Sequence, residues 1–250
     1  MFGGCGRGEF DLNTTGDDVV LDDLYEYDIN TLQWSRIPRT FERGELWPEG
    51  RRSAAMAIYD DKLYLSGGAG QNPDALRGNL LEFDLRTRLW RKRLADEEGL
   101  PFKLCGQTVC VDERKGRLLY FGGSTGLEYR DDTLEYLPAT NQCHKVATSG
   151  RVPSPRYKHQ AFILGGSMYI VGGGSFRPQG MHIDMFLLDL ESHRWESVVT
   201  TGDIPQARVA HSCGVDEETG NIYVFGGFTA ELRCARWITT YTALCDWFDP

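Results

Sequence analysis

Two arginine–histidine pairs share one spacing, Arg156-x2-His159 and Arg208-x2-His211. A guanidinium presents a planar fork of donors that fits a carboxylate bidentately, and an imidazole titrates near neutral pH, so such a pair could hold an anion or move a proton. Arg52 stands at a similar place ahead of an apolar run, and Arg177 sits beside Ser175 and Phe176 in the glycine-rich loop GGGSFRPQG. Recurrence favours a framework role for His159 and His211, a hydrogen bond to a neighbouring loop, over catalysis. For Arg52, Arg156 and Arg208 two readings stand: contacts to a ligand, or structural pairs with acidic neighbours. The Arg177 loop repeats nowhere, so Ser175, Phe176 and Arg177 read as ligand contacts.

Other chemistry is poorly supplied. No G-x-S-x-G, H-E-x-x-H, P-loop or paired-carboxylate signature occurs, and GGGSF lacks the helix that a phosphate loop needs. The reading is therefore a protein without enzymatic activity, cofactor or metal. Seven scattered cysteines form no disulfide framework, Cys105-x4-Cys110 has no matching second pair, and Cys110 and Cys213 read as small apolar packing residues. The acidic group Asp17, Asp18, Asp22 and Asp23 reads as a solvated face. A net charge of -9 opposes polyanions, so nucleic acid is not expected as a partner. Nor is a membrane, because no apolar run reaches the length of a span. With no export leader recognised, the expected location is cytoplasmic, nuclear or both.

What positions these residues is a repeat. KLYLSGG (62–68), RLLYFGG (117–123), SMYIVGG (167–173) and NIYVFGG (221–227) are short apolar runs ending in a glycine doublet, and the chain opens on MFGG. Each run reads as a buried strand, and its doublet (Gly67 and Gly68, Gly122 and Gly123, Gly172 and Gly173, Gly226 and Gly227) as a backbone that adopts positive φ and approaches a neighbour closely. Doublets begin at 3, 67, 122, 172 and 226, at intervals of 64, 55, 50 and 54 residues. Trp34, Trp90 and Trp195 follow at a distance and read as rings wedged between sheets. Each unit predicts four antiparallel strands. Unit boundaries fall near 1–50, 51–103, 104–155, 156–205 and 206–228, while 229–250 alternates poorly and reads as a degenerate blade or a tail outside the repeat. Gly6 to Asp23 reads as a long polar loop.

In such a meander the loop after each doublet and the link to the next unit emerge at one end. The long loops and links, with Arg39, Arg43, Arg51, Arg77, Arg130 and Arg151 as well as the arginines above, predict a basic rim at that end, where binding is expected.

A period near 50 with a glycine doublet and a later tryptophan resembles the kelch repeat, one propeller blade per unit. The expected fold is therefore all-β, a kelch-type β-propeller with about four to five blades of a six-bladed ring, incomplete at both ends. The phrases LCGQTVCV with LLYFGGSTGLEYRDD, RYKHQ with MYIVGGGS, and PQARVAHSC with YVFGG resemble the kelch-domain substrate receptors of cullin-2 ubiquitin ligases. That resemblance implies recognition of protein or peptide C-termini, with Ser175, Arg177 and the link Arg208 to Ala210 in the pocket. Elongin B/C and cullin-2 are the further partners it implies, through a C-terminal Leu-x3-Cys box; residues 231–250 contain no such spacing. The other reading of a kelch chain is a scaffold in trafficking, cytoskeletal or stress signalling, without ligase assembly.

Overall fold

Short apolar runs bounded by turn residues become antiparallel strands throughout the computed structural model, which describes residues 1–7, 18–39, 46–72, 75–94, 102–175, 180–230 and 238–242. The chain divides into two compact units, Met1–Cys105 and Gly106–Pro250.

In the first unit, β1 (Phe2–Arg7), β2 (Asp18–Asp28) and β3 (Gln33–Arg36) form one sheet in that order. The strands β4 (Ala55–Tyr59), β5 (Lys62–Ser66), β6 (Leu80–Asp84) and β7 (Trp90–Leu94) form a second, also in sequence order. The β4–β5 connection is a two-residue turn with φ of 49° at Asp60 and 55° at Asp61, the left-handed geometry that suits the twist of a hairpin. Asp84 closes the β6–β7 turn: its Oδ1 accepts from the backbone N–H of Arg86 and Thr87, and Asp28 does the same for Asn30 and Thr31. These backbone donors hold both carboxyls below their ordinary range. Between the two sheets Leu24 and Ile37 meet Leu63, Leu65, Leu81, Phe83 and Trp90. Trp90 is enclosed by Phe83 at 5.0 Å, Phe2 at 5.8 Å and Trp47 at 6.4 Å between ring centroids.

The second unit repeats the scheme. One sheet holds β8 (Thr108–Asp112), β9 (Arg117–Phe121), β10 (Thr133–Leu137) and β11 (Gln142–Lys145). The next holds β13 (Gln160–Leu164), β14 (Ser167–Gly174), β15 (Met181–Asp189) and β16 (Arg194–Val198), and the short β12 (Ser149–Gly150) adds to its outer edge, parallel to β16. Then come β17 (Arg208–Val209) paired with β20 (Phe228–Thr229), and a sheet of β18 (Ser212–Asp216), β19 (Asn221–Phe225) and β21 (Ile238–Thr242). Alternation along each second strand joins one sheet to the next. Leu119 and Phe121 of β9 pack on Met168 and Ile170 of β14, with Trp195 in the same cluster. The opposite face of β14, Tyr169 and Val171, packs on Ile222 and Val224 of β19.

The doublet is what lets neighbouring sheets close up. Gly122 has φ +65°, and a Cβ there would stand 2.5 Å from the Arg156 carbonyl oxygen and 2.9 Å from the His159 ring. All eight glycines of the doublets at 67, 122, 172 and 226 have positive φ.

Two expectations need correction. Trp34 is not wedged in a core: it is 59% exposed, on a strand whose four residues all face solvent, and it stacks on its cross-strand partner Tyr27 at 4.9 Å. Trp90 and Trp195 each have a sheet packed against the ring, whereas none packs on Trp34 among the described residues. Gly6 to Asp23 is not all loop, because the run Val19, Val20, Leu21 extends β2 back to Asp18, and Asp22 and Asp23 form ion pairs with Arg39 and Arg36. Within the C-terminal stretch, Ile238–Thr242 pairs with β19 as a third strand, Phe225 opposite Ile238.

Candidate functional site

The arginines before each inner strand form one clamp used three times. Arg156 Nε donates to the Ser154 carbonyl at 3.0 Å and Nη1 to the Gly172 carbonyl at 2.9 Å. Arg208 Nε donates to the Gln206 carbonyl at 3.0 Å and Nη1 to the Gly226 carbonyl at 3.0 Å. Arg51, not Arg52, holds this place in the first unit, reaching the Glu49 carbonyl at 3.2 Å and the Gly67 carbonyl at 3.0 Å. Arg52 is half-buried and exchanges both backbone hydrogen bonds with Ala69. The register explains the shift: Ala55, Gln160 and Ser212 open the inner strands, and the clamp stands four residues earlier, which is also where Leu104 stands ahead of β8. The clamp ties each link to the first glycine of its own doublet. Its acidic partner, where present, comes from the same sheet: Asp184 binds Arg156 at 2.7 and 3.2 Å.

Two residues on from the clamp the backbone turns left-handed, at Ser53 (φ 53°), Gly106 (68°), Lys158 (52°) and Ala210 (55°). One residue further stand Ala54, Gln107, His159 and His211. The His159 ring meets Thr108 of the preceding sheet, Nε2 to Oγ1 at 2.7 Å. Burial, the Arg156 charge and then His211 drive His159 down to about 3, while burial and Arg208 drive His211 down to about 4. Both imidazoles are therefore neutral at physiological pH and serve the framework.

In the second unit the loop after the Gly122 doublet meets the link 148–158. Gly123 N–H donates to the Arg156 carbonyl at 2.8 Å, and Arg156 N–H to the Arg130 carbonyl at 3.0 Å. Tyr157 exchanges backbone bonds with Gly174, and Ala210 N–H donates to the Lys158 carbonyl at 2.9 Å, so the second link joins the same cluster. The side chains gathered there include Tyr129 against Tyr157 with centroids 5.1 Å apart, and the Lys158 ammonium 5.5 Å over the Tyr157 ring. Ser175 is half-buried and closes its loop with a backbone bond to Gly180 at 2.7 Å. Phe176 and Arg177 lie outside the described residues. A tight turn, in which Thr125 Oγ1 accepts from Leu127 and Glu128, carries Leu127 at the tip, 95% exposed. Tyr129, Lys158 and Leu127 repeat nowhere in the sequence; only the recurring left-handed position marks Lys158.

Three arginines of the expected basic rim are paired locally. Arg39 pairs with Asp22, Arg77 with Glu49, and Arg130 with Asp132 through Nε at 2.8 Å. Among the described residues no group of three His, Cys, Asp or Glu side chains could hold a metal ion. Cys110 is buried on β8, and burial pushes its thiol up to about 12. The arrangement offers aromatic faces, a cation and backbone donors around loops fixed by hydrogen bonds, which suits binding of a polypeptide more than a reaction.

The sequence is similar to that of known kelch-repeat proteins. The KLHDC2/KLHL20/DRC7 Kelch-repeats domain matches residues 53–196 and 158–248. Kelch domain-containing protein 3 of Rattus norvegicus is 27% identical over 226 residues, covering 84% of this chain and 57% of that protein. Kelch domain-containing protein 10 of Homo sapiens is 26% identical over 211 residues, covering 78% of this chain and 46% of that protein. A shorter match, 30% identical over 149 residues, is to the tRNA wybutosine-synthesizing protein 2/3/4 of Oryza sativa subsp. japonica, covering 58% of this chain and 14% of that protein. The chain thus spans about half the length of the Kelch domain-containing relatives it matches.

Proposed function

This chain belongs to the kelch-repeat family, and on that premise we propose that it is a protein-binding adaptor that carries no chemistry of its own and takes polypeptide C-termini at the loop-and-link cluster of residues 122–210. The observation that carries this reading is that cluster: Tyr129, Tyr157, Lys158 and Ser175 stand on segments held by backbone hydrogen bonds to one another. Loops held in place, with an aromatic wall, a cation and backbone donors, are the elements that capture a chain terminus. The proposal extends to assembly with a cullin-2 ubiquitin ligase through elongin B/C, in the cytoplasm, the nucleus or both.

The test is fluorescence polarisation of the chain with peptides ending in a free glycine carboxylate and with their amidated forms, with Lys158→Ala, Ser175→Ala and Arg177→Ala alongside. The reading expects the carboxylate form to bind more tightly and the variants to weaken it. Equal binding of both forms, or none by folded protein, would refute it. Pull-down with elongin B/C reports separately on ligase assembly, and its failure with peptide binding intact would leave an adaptor that acts as a scaffold.

A further inference from the structure

Two sheets carry the same arrangement of four residues around the clamp, with different side chains in it. Ahead of β4 the link residue Glu49 pairs with Arg77, and the clamp Arg51 donates from Nη1 to Asn79 Oδ1 at 2.9 Å. Ahead of β13 the corresponding pairs are Ser154 with His182, Oγ to Nε2 at 3.3 Å, and Arg156 with Asp184 at 2.7 Å. Each of the four pairs spans 28 residues. Asn79 and Asp184 immediately precede Leu80 and Met185, which pair with Ser66 and Val171, the residues before the doublets. The first copy therefore holds an anion and a cation where the second holds a hydroxyl and an imidazole.

Ser154 is exposed, in a link whose residues 152–155 make no backbone–backbone hydrogen bond among the described residues. Pro155 restricts it to extended backbone, the form in which a kinase takes a substrate chain. Of the ten prolines in the sequence, only Pro155 follows a serine or threonine. Ser154 Oγ already accepts from Arg156 Nη2 at 3.0 Å, and Arg156 is 0% exposed, so a buried guanidinium is aimed at the oxygen that would carry a new group. We propose that Ser154 is the acceptor site of a proline-directed protein kinase, and that its phosphate sits between Arg156 and His182 as the Glu49 carboxylate sits on Arg77. In the transfer the Ser154 O–H bond and the bond from the γ-phosphorus of ATP to its bridging oxygen break. An Oγ–P bond forms, ADP leaves, and the hydroxyl proton passes to the base of the kinase.

The product carries about two negative charges and three acceptor oxygens. Asp184 opposes it, since Asp184 Oδ2 shares Arg156 Nη2 at 3.2 Å and lies 3.9 Å from His182 Nδ1. Proton uptake by His182 offsets that repulsion. Burial and Arg156 hold His182 below its ordinary value against the pull of Asp184, and a dianion at Nε2 makes the imidazole a cation, as Arg77 is. Tyr157 and Lys158 follow on the same link, so the added charge regulates the adaptor site, a consequence that rests on the adaptor reading.

The folded chain is incubated with ATP and a mitogen-activated protein kinase, and separately with a cyclin-dependent kinase. At least one should transfer a single phosphate, mapped to Ser154 by mass spectrometry, lost in Ser154→Ala and kept in Ser154→Thr. No transfer by either kinase, or a product mapped elsewhere, overturns the site. The seat is tested without a kinase, by NMR titration of His182 in chain translated with phosphoserine at position 154. The His182 pKa should rise by about one unit or more, and an unshifted His182 overturns the seat. A peptide with a free glycine carboxylate should bind the phosphorylated chain about tenfold more weakly at low salt, with a difference that shrinks at high salt. Equal binding by both forms refutes the regulation. Binding by neither form refutes the adaptor reading and leaves the phosphorylation site standing.

Discussion

Acidification should destabilise this protein through two buried histidines that serve its framework. His159 and His211 are 1% and 2% exposed, and burial beside Arg156 and Arg208 brings them to about 3 and about 4. An unfolded histidine titrates at about 6.5. Because the folded values are depressed, the stability these groups allow is complete above about pH 6.5 and is lost as pH falls toward the folded values. At about pH 5 the unfolded chain gains about 1.5 units of protonation advantage per histidine, or about 2 kcal/mol each and about 4 kcal/mol together. Against a typical total of about 5–15 kcal/mol, that places the wild type near its limit. Gln107 occupies the same repeat position and is itself buried, so His159→Gln with His211→Gln is a replacement the fold already accommodates. Urea unfolding followed by tryptophan fluorescence at about pH 7.5 and about pH 5, where the cited pKa values separate the states, should show a drop in the wild type about 4 kcal/mol larger than in the double variant. An equal drop in both proteins would refute the reasoning, since the acid sensitivity would then lie elsewhere.

Three further outcomes follow from the packing. Gly122→Ala should cost about 1–3 kcal/mol, because φ is +65° and the new Cβ would meet the Arg156 carbonyl oxygen, whereas Gly214→Ala, with nothing within 4 Å, should stay within about 0.5 kcal/mol; denaturant midpoints report both. Trp195→Ala should cost about 3–5 kcal/mol and Trp34→Ala less than about 1 kcal/mol by the same measurement, so comparable losses would contradict their opposite burial. Cys110 should stay unlabelled by a thiol reagent at about pH 8, where a thiol at about 12 is protonated as well as buried, and Cys110→Ser should leave the native labelling stoichiometry unchanged.

Repetition made the fold legible before any coordinates. An apolar run followed by two glycines can be recognised as a strand meeting a close neighbour because the local pattern and the packing requirement coincide. The same repetition misled at single residues. Trp34 occupies the place of Trp90 and Trp195 in the pattern, but burial depends on whether another sheet covers it, and periodicity within one unit carries no record of that. Arg51 and Arg52 stand together in the sequence, and only the distance to the inner strand decides which of them is the clamp. The site was less legible still. Tyr129 and Tyr157 are 28 positions apart and meet because two loops are stitched by backbone bonds, a relation to which no spacing rule applies.

The repeat also supplies a criterion for function that neither motif nor exposure offers. A residue that recurs with its partners belongs to the frame, and a residue that recurs without them marks a change of use. The third sheet shows the innocuous form of such a change. Leu104 replaces the clamp arginine there, and Asp132, at the register position of Asp184, is redirected to Arg130 and Lys145, so no charge is left buried alone. Losing the arginine and keeping the acid was tolerated because the acid is near solvent and found other cations. In the last sheet the arginine is kept, and Arg208 holds the Gln206 and Gly226 carbonyls as Arg156 holds those of Ser154 and Gly172, so the clamp recurs there as part of the frame.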